Sequence, residues 1–208
     1  MRRISPLLFS VVFFLFACCF FALADRSHDE AIAASLSPSV LRFHVLAASD
    51  SEEDQNLKLK VRDFFLDTLH KALPQTADKA NILSYVENQK ATLVESLNAF
   101  LAQNGSSDTA TLEIASIHFP QRRYGALCFP SGQYEALRIC IGEAKGHNWW
   151  CVLYPSLCFT DESGPYLPAS SCELLKDLVG EGTYSKLLSK EAKPAELRFF
   201  FLTPLSSF

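Results

Sequence analysis

The 208-residue sequence has no excess of positive charge: 19 Lys and Arg stand against 23 Asp and Glu, a net charge of −4. A strongly basic nucleic-acid binder is therefore excluded, because such proteins hold the phosphate backbone with clustered cations. No C-x-x-C pair and no H-x-x-x-H pair is present, so the common zinc spacings are missing. G-x-G-x-x-G, the phosphate-binding P-loop, the G-x-S-x-G elbow and H-E-x-x-H are missing too, which leaves nucleotide and metallopeptidase chemistry without support. No cofactor is expected. The composition also argues against a disordered chain, a repeat array or a multi-span membrane protein.

What is present is unevenly distributed. The first 24 residues hold 19 apolar residues and two arginines, with no acids. Arg2 and Arg3 form a positive end, Leu7 to Leu23 is apolar apart from Ser10, and Ala22 and Ala24 place small residues before Asp25. This is the pattern of a secretory signal peptide over 1–24. This apolar stretch of 17 residues lies at the lower edge of a bilayer span, so an uncleaved anchor is the alternative. Leu15-Phe16-Ala17-Cys18 is a poor lipoprotein box because Phe16 is bulky, and Arg2-Arg3 lacks the surroundings of a twin-arginine signal. Residues 25–39, polar and alanine-rich with Pro38 near the end, are expected as a linker. Residues 40–208 then form one domain, large enough to build its own core.

Within that domain, Leu41, Phe43, Val45 and Ala47 alternate with Arg42, His44 and Leu46, the period of a half-buried strand. Ser49 and Glu52 have capping-box spacing, followed by the apolar positions Leu57, Val61, Phe64, Phe65 and Leu69 of a helix that Pro74 closes. A second helix is expected over about 78–103, with a break near Glu87-Asn88 and a stop at Asn104-Gly105. Residues 109–119 have strand character. Residues 124–129 and 133–141 flank Pro130-Ser131-Gly132, which predicts a hairpin between them. Residues 149–154 suit a strand, 170–189 two short helices parted at Gly180 and Gly182, and 196–202 a last strand. The order predicts an α+β single domain, a largely antiparallel sheet with two longer helices on one face, preceded by the signal-peptide helix.

Five cysteines follow residue 24: Cys128, Cys140, Cys151, Cys158 and Cys172. Mostly reduced, packed thiols are expected, with one or two bridges at most. A hydrolase built on Cys151 would need His147 or His44 as its base and an acid such as Asp50 to orient it. Structural zinc would recruit His147, Cys151 and Cys158, with His44, at spacings that fit no common site. The densest unusual patch is Gly146-His147-Asn148-Trp149-Trp150. Adjacent tryptophans on a strand point to opposite faces, so one is expected in the core and the other at the surface. The bland alternative for Asp50, Asp54, Lys58, Arg62 and Asp63 is a solvated helix face.

Two blocks go beyond such patterns. One is Leu41-Arg42-Phe43-His44-Val45-Leu46-Ala47-Ala48-Ser49-Asp50, continuing through Asp54-Gln55, Leu57-Lys58 and Val61-Arg62-Asp63. The other includes Phe119-Pro120, Tyr124-Gly125, Pro130-Ser131-Gly132, Tyr134 to Arg138, and Gly146-His147-Asn148-Trp149-Trp150-Cys151-Val152-Leu153, then Pro155 and Leu157-Cys158. Together they resemble the stage II sporulation protein R family over about 41–159. Ala48 stands where that pattern commonly has asparagine, and Tyr154 and Ser156 replace phenylalanine and a second proline. The resemblance implies an exported signalling protein rather than an enzyme, made in the forespore and released into the space between forespore and mother-cell membranes. It further implies a partner, a membrane-embedded aspartic protease of the stage II sporulation protein GA type, which removes the pro-sequence of sigma-E. Membrane contact would be transient, through the signal segment. The expected contact surface is His44, Asp50, Asp54, Gln55, Lys58, Arg62, Asp63, Arg138, His147, Asn148, Trp149, Trp150 and Cys151.

Overall fold

The computed structural model describes residues 6–74, 76–156, 160–161, 164–165 and 169–188. The elements, in chain order, are α1 (Pro6–Leu36), β1 (Leu41–Leu46), α2 (Glu52–Ala72), α3 (Lys79–Gln103), β2 (Ala110–Phe119), β3 (Arg122–Tyr124), β4 (Leu127–Phe129), β5 (Gly132–Ile141), β6 (Asn148–Tyr154), β7 (Thr160–Asp161), β8 (Gly164–Pro165), α4 (Ala169–Val179) and α5 (Glu181–Leu187). A four-stranded mixed sheet in the order β2-β5-β1-β6 organises them. β2 with β5 and β1 with β6 are antiparallel, whereas β1 and β5 run parallel at the centre. The chain is thus the α+β domain expected.

Residues directly opposite across a ladder share a face, so the register sorts the side chains into two layers. Phe43, Val45, Leu137, Ile139 and Leu112 face α2 and α3, which bury Val61, Phe65, Val86, Leu93 and Leu97 against them. Phe43 stacks on Phe65 at 5.3 Å, and Phe64 of α2 stacks on Phe100 of α3 at 4.4 Å. The opposite layer holds Arg42, His44, Tyr134, Ala136, Phe119 and Trp150. It too is covered: the end of α1 lies against β5 and α5 against β4. With both faces covered, β1 is fully buried through Val45 rather than half-buried, and its polar positions Arg42 and His44 lie inside.

Four local expectations are corrected. α2 takes Ser51, not Ser49, as its N-cap: the Ser51 side chain accepts from the Asp54 N–H. Ser49 instead accepts from the Ser51 N–H and donates to Asp54. α3 is unbroken at Glu87-Asn88: the helix continues through the exposed stretch 87–92, which separates its buried positions Ile82 and Val86 from Leu93, Leu97 and Leu101. It starts with a capping box between Asp78 and Asn81. The hairpin across Pro130-Ser131-Gly132 does not form. Residues 127–129 pair back with β3, and β5 takes β2 as its partner over ten residues, a far longer ladder. Finally, residues 25–36 are helical rather than linker, and Ala33 and Leu36 are completely buried. Gly132 permits this packing, since a Cβ there would lie 2.3 Å from the Ala33 Cβ.

The two short helices α4 and α5 do part at Gly180, whose φ of +77° suits glycine. The strand expected over 196–202 and Cys158 lie outside the described residues. Upstream, α1 exposes Val11 to Phe16, Phe20 and Phe21 to solvent on all sides. Among the described residues no helix is long and apolar enough to cross a membrane.

Candidate functional site

The β1–α2 loop and the turn before β6 close on each other beyond the end of the sheet. Gly146 N–H donates to the Ala47 carbonyl at 3.0 Å, and Lys145 N–H to the Ala48 carbonyl at 3.2 Å. Glycine is required at 146, because a Cβ would sit 2.1 Å from the Ser49 carbonyl oxygen. This contact delivers His147 to Asp50. Asp50 Oδ1 accepts the His147 backbone N–H at 2.6 Å and lies 2.5 Å from the ring Nδ1. The His147 N–H, then its ring, hold the Asp50 carboxyl below the ordinary carboxylate range.

Behind that pair the first turns of α2 supply the support. Gln55 Nε2 donates to the Ser49 carbonyl at 2.9 Å and to Asp50 at 3.4 Å. Its Oε1 accepts from Lys58 Nζ at 2.5 Å, and the same ammonium donates to the His147 carbonyl at 3.0 Å. Lys58 is only 5% exposed, and burial lowers its pKa. A lysine so covered, donating to the backbone of the other segment, locks the loop rather than serving as a solvated face. Asp54 joins one step away, through Ser49 Oγ at 2.5 Å.

One turn further along α2, the Arg62 guanidinium lies over the Trp149 ring at 4.7 Å while its Nε donates to Asp63 at 2.7 Å. Trp149 also meets Phe43 edge-on, in the helix-side layer. Trp150 points the other way, as the alternation requires. It stacks on His44 at 4.7 Å and meets Phe119 edge-on. Both tryptophans are partly exposed, so neither is the wholly buried anchor expected of one of them. Asn148, half-buried, opens β6.

The polar clamp therefore unites Asp50, Asp54, Gln55, Lys58 and His147, with Arg62, Asp63 and Trp149 beside it. His44, Arg138 and Trp150 belong to the opposite layer, where Arg138 pairs with Glu113 of β2. Cys151 belongs to neither group. It is 1% exposed, faces the helices opposite Phe43, and is disulfide-bonded. A sulfur held in a disulfide is not a free thiolate, so Cys151 as placed here presents no nucleophile or thiolate ligand. Cys128, Cys140 and Cys172 are free thiols, in line with the mostly reduced set expected. Among the described residues no three His, Cys, Asp or Glu side chains gather as a metal site.

Sequence reasoning missed Arg42. Its guanidinium is completely buried among Phe119, Tyr134, Phe129 and Tyr124, at 4.4, 5.0, 5.3 and 5.8 Å from the ring centres. Nε donates to the Cys151 carbonyl at 3.2 Å and one terminal nitrogen to the Tyr124 hydroxyl at 3.2 Å. Among the described residues no carboxylate pairs with it, and burial lowers its pKa. The alternation of β1 assigned this position to solvent. Only the aromatic residues of β2, β3, β4 and β5, far away in sequence, show otherwise.

Comparison with known proteins bears on the same residues. A family model described as stage II sporulation protein R matches residues 37–164. The stage II sporulation protein R of Bacillus subtilis (strain 168) is 28% identical over 199 residues, covering 88% of this chain and 86% of its own. No solved structure matches. The matched region contains both segments of the clamp and the strand that carries Arg42 and His44, and on that match the chain belongs to the stage II sporulation protein R family.

Proposed function

We propose that this protein is an exported intercellular signal of endospore formation that activates a membrane-embedded aspartic protease, which then processes the pro-sigma-E precursor. On this reading it is made in the forespore and acts in the space between the two membranes. The apolar α1 suits an export signal, since it exposes phenylalanines all round rather than along one stripe. The observation that carries the reading is the clamp: two segments about ninety residues apart are tied by Asp50, Lys58 and His147 into one exposed polar surface flanked by Trp149. Binding activates only by favouring the competent state of the protease over its idle one, and a rigid, preformed surface loses less entropy in doing so.

The test is co-expression of this chain, exported, with the protease and the sigma precursor in a non-sporulating host, following the precursor's size on a gel. Processing is expected only when all three are present, and Trp149→Ala, checked for folding by circular dichroism, is expected to lower it at least tenfold. Absence of processing with folded, exported protein overturns direct activation.

A further inference from the structure

β2 is an edge strand of ten residues with β5 on one side and no strand on the other among the described residues. The Gly142 N–H donates to the Thr109 carbonyl at 2.9 Å, so odd-numbered residues of this strand bond inward to β5. The even-numbered ones point their N–H and C=O groups outward. At one end the outward N–H of Ala110 is taken by the Asn98 side chain of α3 at 2.7 Å. At the other, Pro120 has no N–H to offer. Among the described residues, the open groups are therefore those of Leu112, Ile114, Ser116 and His118, and both stops are equidistant from Ala115.

Proteins usually blunt such an edge with lysine, proline or a bulge. Between Ala110 and Phe119 there is no proline, no lysine and no arginine, and the ladder to β5 is in unbroken register. The one charged side chain, Glu113, is paired with Arg138. We propose that β2 is a homodimer interface, in which two copies of this chain join their sheets by antiparallel pairing of β2 with β2 about a two-fold axis at Ala115.

The register follows from the open groups. Leu112 pairs with His118 of the second copy and Ile114 with Ser116, giving about eight hydrogen bonds that use every open group. Glu113 then faces the second copy's Ile117 rather than its Glu113, so no like charges oppose. The half-buried Ile114 and Ile117 gain cover, and Ala115 meets Ala115 where the backbones are closest. A strand from another protein could satisfy the same groups, but it would owe nothing to the symmetry about Ala115. The inference stands apart from the protease reading, and its test needs no protease.

The full chain, exported and purified in the form its host releases, is measured by light scattering after gel filtration. Twice the monomer mass is expected, falling to the monomer mass in Ser116→Pro, whose lost N–H points away from β5. Because proline can disturb folding, Ala115→Cys gives an independent check. At about 4.5 Å between Cα atoms across the axis, it should form a disulfide-linked dimer on a non-reducing gel that wild type and Thr111→Cys do not. A monomeric wild type overturns the proposal, as does a dimer in which Ala115→Cys forms no cross-link.

Discussion

His44 lies between Trp150 and Phe119 with neither ring nitrogen hydrogen-bonded, and Arg138 and Arg42 are the cations nearest its charge. Burial first, then Arg138 and Arg42, push its pKa down to about 4. In the unfolded chain an ordinary histidine takes its proton near pH 6.5. Between those two values the unfolded state binds the proton and the folded state does not, so stability falls as pH falls from about 6.5 to about 4. At 2% exposure, solvent screens little of this, and the full difference is about 3 kcal/mol. Urea denaturation at pH 7 and pH 4.5 is expected to show most of that loss in wild type and a much flatter profile in His44→Phe, which keeps the stack. The same position illustrates a limit of pattern reading: alternation assigns every second residue of a strand to water, and that holds only when the second face is bare.

Among the elements, α1 departs most from its composition. An alanine-rich polar segment after an apolar one reads as a spacer, yet its last turns pack on β5 through Ala33 and Leu36. Lys79 of α3 fastens the following loop, donating to the carbonyls of Ser37 at 2.7 Å and Pro38 at 3.2 Å and pairing with Glu135 at 2.9 Å. Leu36→Ala is expected to cost about 3 kcal/mol, the usual price of emptying a leucine site in a core. In a true linker the same change would stay within about 0.5 kcal/mol. Chemical denaturation of the two proteins separates these outcomes. α2 and α3, by contrast, were legible because their apolar positions recur at helical spacing and Pro74 and Asn104-Gly105 mark their ends, although the cap of α2 was placed at Ser49 rather than Ser51. The hairpin was misread because Pro130-Ser131-Gly132 is good turn chemistry wherever it occurs, and pairing is decided by the longer ladder with β2.

At the scale of the molecule, a sheet covered on both faces explains why so polar a strand as β1 is central. The helices bury its odd positions, and aromatic rings of β2, β3, β4 and β5 enclose Arg42. Cys151 contributes to this frame through its disulfide and through the carbonyl that accepts from Arg42. On a structural role for it, Cys151→Ala is expected to lower unfolding free energy by about 2–4 kcal/mol while precursor processing in the co-expression test persists below the melting temperature. Co-expression at reduced temperature, with soluble exported protein quantified, reads the two effects separately. Complete loss of processing in a folded variant would point to a direct part for this residue.

The sequence by itself determined the α+β class, the two long helices, the apolar N-terminal segment and the resemblance carried by two blocks, because periodicity, composition and rare residue strings are local properties. Opposite faces for Trp149 and Trp150 followed from the two-residue repeat alone. Only the tertiary structure decided that Asp50 meets His147, that Lys58 is buried between them and Gln55, and that Arg42 lies inside. Each of these depends on which distant strands become neighbours, a choice made by the whole core at once rather than by any one segment.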